Sequence, residues 1–306
     1  MMRTSGPVMI GWPRVVGGTV VIALACLVAV SSAPAAPPSR IGVVAAENFY
    51  ADIVAQIAGD HVALTSILSD PNVDPHVYES SVKDAVAVAN ARLVIQNGLG
   101  YDTFIDRLIA ASPSRRRTLI VVARLTGHKP GDNVHLWYDP PTIPKVAQAV
   151  VEFLTQADPG SAASYRDRYR LVQRSLEPLT QKIAALNARH AGTPVAATEP
   201  VFGYMAHAIG LNVLTPPAFQ KPIEEGQDPP AAAVARMLDQ LRTHQVKVVL
   251  YNTQTISPIT VRVRQLAKEA GVPVVGVSET EPPGKSFQQW MLGQLDAVDA
   301  ALTGGK

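Results

Sequence analysis

The sequence predicts an α/β protein with two lobes, each built on a parallel sheet, joined by one long helix. Apolar runs of strand length alternate with segments of helical periodicity in both halves of the chain, which is typical of parallel α/β units. Between the halves, residues 161–190 contain no strand-like run, and their apolar residues recur at helical spacing.

The first half, residues 41–158, contains four segments that resemble buried strands. These segments are residues 41–46, 62–68, 93–96 and 119–122. Helices are predicted at residues 49–58, 81–90 and 143–156. The second of these begins with a helix-start pattern, because Ser81 is followed three residues later by Asp84.

The middle segment, residues 159–191, is predicted to be one long connecting helix. Its apolar residues at helical spacing are Val172, Leu176, Leu179, Ile183 and Leu186. A helix of about 30 residues spans about 45 Å at about 1.5 Å per residue, which is the width of a domain. Pro178 is expected to kink this helix, since proline removes a helical hydrogen bond.

The second half, residues 192–306, returns to the alternating pattern. Strands are predicted at residues 193–197, 212–214, 246–250 and 273–277. Helices are predicted at residues 201–209, 230–244, 258–270 and 287–302. Ligands of open α/β sheets bind outside the carboxyl ends of the strands. The cleft between the two halves is therefore the expected binding site.

The N-terminal residues have the composition of a secretory signal peptide. Arg3 and Arg14 precede an apolar run at residues 15–30 that is broken only at residues 17–19, and Ala-Pro-Ala at residues 33–35 matches a cleavage site. We therefore expect a signal peptide at residues 1–35 and a tether at residues 36–40. The mature protein is then exported, to the periplasm or to the outer face of the cytoplasmic membrane.

The only cysteine of the chain, Cys26, lies inside this N-terminal segment. Its surroundings resemble a lipoprotein attachment site, so lipidation of Cys26 is an alternative to cleavage near Ala35. A retained membrane anchor is a third alternative. In each case the rest of the chain has no thiol, so a metal site there must use His, Asp or Glu.

The charge of the chain argues against a nucleic-acid partner. The sequence has 27 Lys and Arg against 25 Asp and Glu, and its one basic run is residues 115–117. Domains that bind nucleic acid carry a basic patch or stripe instead. A monomer without a nucleic-acid partner is expected.

Four loops between predicted strands and helices carry residues that can bind a metal ion. They are residues 74–79 (DPHVYE), 135–140 (HLWYDP), 198–204 (TEPVFGY) and 278–282 (SETEP). Two loops belong to each half. Two neutral imidazoles and two carboxylates have a charge of −2, which balances a divalent cation. Nitrogen and oxygen ligands suit manganese, iron and zinc.

The chain resembles the metal-specific solute-binding proteins of ABC transporters, whose two lobes are joined by a rigid backbone helix. The resemblance covers residues 41–302 and is most specific at residues 74–79 and 135–140. It implies a metal-binding protein that delivers its ion to the permease of an ABC importer. Such a protein is not an enzyme.

The resemblance also implies four metal ligands. They are His76, His135, Glu199 and Glu279. Glu281 is an alternative to Glu279 if the last loop is aligned differently. A metal-bound imidazole needs an acceptor for its second ring nitrogen. Asp74, Glu79 and Asp139 lie nearby in sequence and are the candidate acceptors.

The expected ion is manganese or zinc. A glutamate as third ligand, at Glu199, resembles the manganese-binding branch of the family and favours manganese slightly, whereas raw affinity favours zinc. One alternative function is a zinc-dependent hydrolase, which needs an open fourth position on the metal. The predicted fourth protein ligand fills that position. A second alternative is a surface adhesion protein with a structural metal.

Overall fold

The computed structural model describes residues 1–2, 4–14, 17, 40–71 and 78–304, and within them it contains two four-stranded parallel sheets. Residues 40–306 form one compact unit and residues 1–39 another. All elements named below belong to the larger unit. Most of the predicted signal peptide, Cys26 and most of the predicted tether lie outside the described residues.

The first lobe is built on the sheet of order β2-β1-β3-β4. Its strands are β1 (Ile41–Glu47), β2 (Val62–Leu68), β3 (Leu93–Gln96) and β4 (Thr118–Val121). Its helices are α1 (Asn48–Ala58), α2 (Val82–Asn90), α3 (Thr103–Ala111), α4 (Val122–Thr126) and α5 (Thr142–Ala157). The predicted start of α2 is confirmed, because Ser81 and Asp84 form a reciprocal capping box.

The long helix α6 (Ala162–His190) joins the two lobes. It packs against α1 and α5 of the first lobe and against α11 (Phe287–Leu302) of the second. Pro178 lies within it, and the helix continues on both sides of this residue. The buried face includes Val172, Leu176, Leu179 and Leu186, which are four of the five residues whose spacing predicted the helix.

The second lobe is built on the sheet of order β6-β5-β7-β8. Its strands are β5 (Pro194–Ala197), β6 (Asn212–Val213), β7 (Val249–Asn252) and β8 (Val274–Val277). Its helices before α11 are α7 (Gly203–Ala208), α8 (Pro217–Glu224), α9 (Ala231–Arg242) and α10 (Pro258–Glu269). The two sheets therefore have the same strand order, and the predicted fold class is confirmed.

Some elements differ from the sequence prediction. The helices α3, α4 and α8 were not predicted, and β7 begins at Val249, three residues later than expected. The helix α8 carries Pro222 inside it and a proline at its start, two residues that normally indicate a turn.

The lobes share one hydrophobic core beneath the cleft. Its centre is aromatic: Phe49 of α1 stacks on Trp137 with the ring centroids 4.5 Å apart, and Trp290 of α11 lies 6.0 Å from Phe49. Tyr138 lies between the lobes, with its ring 5.4 Å from Phe202 and its hydroxyl 2.7 Å from the carbonyl oxygen of Ser278. Each such buried aromatic side chain contributes about 1.5–3 kcal/mol.

Candidate metal centre

Three of the four predicted ligands are buried in the cleft, at the ends of elements that point into it. Glu199 and Glu279 each lie two residues beyond the end of a strand, β5 and β8 respectively, and His135 precedes a short turn before α5. Their exposed fractions are 0% for His135, 3% for Glu199 and 0% for Glu279. Charged side chains are almost never this buried unless they are paired. His76, the fourth, and Asp74 lie outside the described residues.

The imidazole of His135, in the first lobe, faces the carboxylate of Glu279, in the second. His135 Nε2 and Glu279 Oε2 are 3.3 Å apart. The other ring nitrogen, Nδ1, lies 2.7 Å from Asn133 Oδ1. An amide oxygen only accepts hydrogen bonds, so this contact places the proton on Nδ1 in the neutral imidazole. Nε2 is then the ring nitrogen without a proton, and it faces the Glu279 carboxylate.

The orientation of Asn133 is fixed from the second lobe. Its Nδ2 donates to the carbonyl oxygen of Pro200, at 2.7 Å, so that its Oδ1 is left to face His135. Tyr204 also donates to the backbone oxygen of Asn133, at 2.9 Å. The acceptor for His135 Nδ1 is therefore an amide two residues earlier in the chain.

One buried amide joins the two carboxylates. Asn252, the last residue of β7, places its Nδ2 3.0 Å from Glu199 Oε2 and 2.6 Å from Glu279 Oε1. The same Nδ2 lies 3.0 Å from Thr255 Oγ1. The structure thus brings Glu199 and Glu279, the third and fourth predicted ligands, to a single hydrogen-bond donor, the Nδ2 of Asn252.

Glu279 and Glu281 point to different places. Glu279 faces His135, whereas Glu281 lies near Asp52 of α1. Burial, and secondly the charge of Asp52, raises the pKa of Glu281 to about 8. Of the two acids in this loop, Glu279 is therefore the one that meets the predicted ligand of the first lobe.

A second buried acidic pair, which was not predicted from the sequence, lies near the site. Glu47, the last residue of β1, is fully buried against Asp102, whose carboxylate accepts hydrogen bonds from the backbone N–H groups of Asn97 and Gly98, at 2.6 and 2.9 Å. Burial, and secondly the charge of Asp102, raises the pKa of Glu47 well above its ordinary value. Burial likewise raises the pKa of Asp102, to about 6, so the pair holds a proton near neutral pH.

Tyr101 lies between this acidic pair and the predicted ligands. Its ring is 6.0 Å from that of His135. Burial raises the pKa of Tyr101, and the charges of Glu279 and Glu47 raise it further, so its hydroxyl keeps its proton. An acid at the carboxyl end of the central strand β1 was a readable signal, since ligand sites occur at that edge of a sheet.

Of the three acids suggested as acceptors for the histidine rings, the structure describes Glu79 and Asp139, and neither is the acceptor of His135 Nδ1. Glu79 is exposed. Asp139 lies with its carboxylate 3.8 Å from His128 Nε2, and burial raises its pKa. The acceptor that the structure gives to His135 is Asn133, and a carboxylate oxygen of Glu224 lies 3.7 Å from the same Nδ1.

A cavity of about 630 Å³ opens beside the buried ligands. Tyr101, Asn133 and Val134 line its first-lobe side, and Pro200 and Glu224 line its second-lobe side. Two of these lining residues, Asn133 and Glu224, also have side-chain oxygens 2.7 and 3.7 Å from His135 Nδ1.

Among the described residues, no group of three or more His, Cys, Asp and Glu side chains is arranged closely enough to hold a metal ion. His135 meets Glu279 directly, and Glu199 joins them through Asn252. The contribution of His76 stays a prediction. In the same part of the chain, no helix is both long enough and apolar enough to cross a membrane.

Comparison with protein families gives one match that covers most of the chain. Residues 43–301 match the family of the periplasmic component A of the zinc-uptake complex.

Two curated relatives are similar to this chain at low sequence identity. The zinc-binding protein TroA of Treponema pallidum is 28% identical over 60% of this chain and 62% of its own length, so the chain spans about three fifths of this relative. The metal ABC transporter substrate-binding lipoprotein SloC of Streptococcus mutans is 23% identical over 86% of this chain and 90% of its own length.

The solved structures include the solute-binding protein FpvC of Pseudomonas aeruginosa, in complex with Mn²⁺. It superposes with a TM-score of 0.72 at 21% identity, covering 88% of this chain and all of FpvC. At this identity the likeness establishes the fold alone, and it agrees with two lobes bridged by α6.

Proposed function

The chain belongs to the family of the periplasmic component A of the zinc-uptake complex, and we propose that it binds one divalent transition-metal ion and delivers it to an ABC importer. The ion is the transported cargo. His76, His135, Glu199 and Glu279 are the proposed ligands.

The contact between His135 and Glu279 is the observation that carries this proposal. A ring nitrogen from one lobe and a carboxylate from the other lie 3.3 Å apart, and both side chains are 0% exposed. A buried carboxylate is costly unless it is both hydrogen-bonded and paired with an opposite charge. Glu279 accepts a hydrogen bond from Asn252, and a cation between Glu279 and His135 supplies the charge. Because the two ligands come from different lobes, the bound ion also links the lobes.

The donor set suits Mn²⁺ and Zn²⁺. Two neutral imidazoles and two carboxylates balance a divalent charge, and nitrogen and oxygen donors fit both ions. Among relatives, TroA is described as zinc-binding, and FpvC has been solved with Mn²⁺. We propose manganese slightly ahead of zinc, because the third ligand is the carboxylate Glu199.

The proposed partner is the permease of an ABC importer, in line with SloC, which is a metal ABC transporter substrate-binding lipoprotein. The protein is proposed to be exported, since the family is periplasmic and residues 1–35 have the composition of a signal peptide.

The direct test is metal analysis of the purified protein, followed by competitive titration with Mn²⁺ and Zn²⁺. One tightly bound ion per chain is expected. His135→Ala should weaken binding by about 100-fold or more, since even the loss of a supporting group around a metal costs about 10- to 100-fold.

His207→Ala is the matched control, because His207 is exposed on α7 and outside the proposed ligand set. It should bind with the affinity of the wild-type protein. Absence of binding for both ions contradicts the proposed function. Full affinity of His135→Ala removes His135 from the site and leaves the function open.

A further inference from the structure

Three side-chain amides hold the loop that carries Glu279: Gln254 and Gln294 from the second lobe and Asn48 from the first. Gln294 accepts a hydrogen bond from the backbone N–H of Ser278, at 3.2 Å. Gln254 of the second lobe accepts hydrogen bonds from the backbone N–H groups of Glu279 and Thr280, at 2.6 and 3.0 Å. Asn48 of the first lobe accepts from the N–H of Glu281, at 3.0 Å, and donates to the carbonyl oxygen of the same residue, at 2.7 Å.

The contact made by Asn48 crosses between lobes. Asn48 is the first residue of α1, directly after β1, and is separated from Glu281 by 233 positions in the sequence. The side chain uses both its donor and its acceptor on one backbone residue, as a neighbouring β-strand does. Two hydrogen bonds on one residue fix both the position and the orientation of that part of the loop.

The same face of α1 contacts the second lobe over two further turns. Asp52 accepts a hydrogen bond from the backbone N–H of Phe287, at 2.9 Å. Gln56 and Gln288 exchange hydrogen bonds of 3.1 and 3.0 Å. Positions four residues apart lie on one helix face, so these contacts continue the line that Asn48 begins.

We propose that Asn48 is a positioning residue for metal capture. Asn48 lies in the same lobe as His135 and holds the backbone of Glu281. This contact places the nearby Glu279 carboxylate opposite His135. This inference rests on the proposed function. Metal ligands must be held within about 0.5 Å of the productive geometry. Gln254 belongs to the same lobe as Glu279, so it cannot fix the distance to the opposite lobe. Two first-lobe residues hydrogen-bond to the backbone of this loop, Tyr138 at Ser278 and Asn48 at Glu281, and Asn48 is the one that holds both the N–H and the carbonyl oxygen of a single residue.

The first test compares the affinities of Asn48→Asp and Asn48→Ala with that of wild type, by competitive titration with Mn²⁺ and Zn²⁺. Asn48→Asp hardly changes the size of the side chain. It keeps the oxygen that accepts from the Glu281 N–H, and it replaces the NH₂ group that donates to the Glu281 carbonyl oxygen with a second oxygen. Both variants should bind about 10-fold more weakly, the lower end of the effect of groups that orient metal ligands. Asn48→Asp serves as the informative variant if Asn48→Ala folds poorly.

Asn90→Asp is the control, because Asn90 is exposed and donates only within α2, to Val86. Its affinity should stay within about 2-fold of wild type, as expected for a surface change. Wild-type affinity in both Asn48 variants overturns the inference and leaves the proposed function standing. Absence of metal binding in the wild-type protein overturns both.

A double-mutant cycle separates positioning from a general loss of stability. Glu279→Asp keeps the charge of the ligand and shortens it by one methylene group. If Asn48 acts through Glu279, Asn48→Ala should weaken binding by less than about 3-fold in the Glu279→Asp background, because the carboxylate it positions is already displaced. The same 10-fold loss in both backgrounds means that Asn48 acts independently of Glu279, and this result overturns the inference.

Discussion

Asn252→Asp places a third carboxyl group beside the two carboxylates of the candidate site. The change preserves the size and shape of the side chain. It removes the donor that lies 3.0 Å from Glu199 and 2.6 Å from Glu279, in a region where Asn252 itself is 2% exposed. The expected result is a loss of stability that grows with pH in the metal-free protein.

The size of this loss follows from two competing costs. Two unit charges about 4 Å apart repel by about 4 kcal/mol at an effective dielectric constant of about 20, so two neighbours cost about 8 kcal/mol. If the new carboxyl group takes up a proton instead, the cost is about 1.36 kcal/mol for each pH unit above its pKa in the unfolded chain, which is about 3.9. That amounts to about 1.5 kcal/mol at pH 5 and about 5 kcal/mol at pH 7.5. Protonation is the less costly route, so it sets the loss.

The direction in which the stability of Asn252→Asp changes with pH follows from proton binding. The folded variant holds a proton that the unfolded chain has released, so its stability falls as the pH rises through this range. The lost hydrogen bonds add a part of about 1 kcal/mol that does not depend on pH.

Urea unfolding in the presence of EDTA, at pH 5 and pH 7.5, measures both parts. The deficit of Asn252→Asp should widen by about 3.5 kcal/mol between the two pH values. Asn90→Asp, at an exposed position of α2, should stay within about 0.5 kcal/mol of wild type at both. An equal deficit at pH 5 and pH 7.5 would refute the reasoning, since it would place the new carboxyl in water and not between two buried carboxylates.

Burial raises the pKa of Glu281 to about 8, so the metal-free wild type loses stability as the pH rises towards that value. Glu281→Gln has no such loss, so its stability advantage over wild type should be about 2–4 kcal/mol larger at pH 8 than at pH 4. Urea unfolding across this range checks it, and a constant difference contradicts it. Asp299→Asn should destabilise the protein by about 1 kcal/mol at pH 7. Burial opposes ionisation of Asp299, but hydrogen bonds from His190, Lys182 and Arg189 outweigh it and hold the pKa at about 2. Thermal unfolding should therefore show the two proteins converging from pH 4 to pH 2, and parallel curves count against this role.

Much of the fold could be read from the sequence because its signals are local. The spacing of Val172, Leu176 and Leu179 predicted α6, and the pair Ser81 and Asp84 predicted the start of α2. The helix α3 was missed, although Phe104, Ile105 and Leu108 form its buried face, because its nine residues lack the start pattern that marks the equally long α2. Local periodicity gives weak evidence over so few residues.

The candidate site was predictable in its residue types and less so in its arrangement. His135, Glu199 and Glu279 were identified from their loops, and the structure buries all three. The residues that connect them, Asn133 and Asn252, carry no recognisable pattern. Their roles depend on partners in distant parts of the chain, such as Pro200 for Asn133.

The sequence by itself determined the alternation of strands and helices, the long helix α6 and the loops that supply histidine and glutamate. These features depend on periodicity and on neighbours a few residues away. The tertiary structure alone decided that Glu279 and not Glu281 faces His135, and that Asn48 holds the same loop from 233 positions away. Hydrogen bonds between buried groups are fixed by the packing of whole lobes, which no local pattern records.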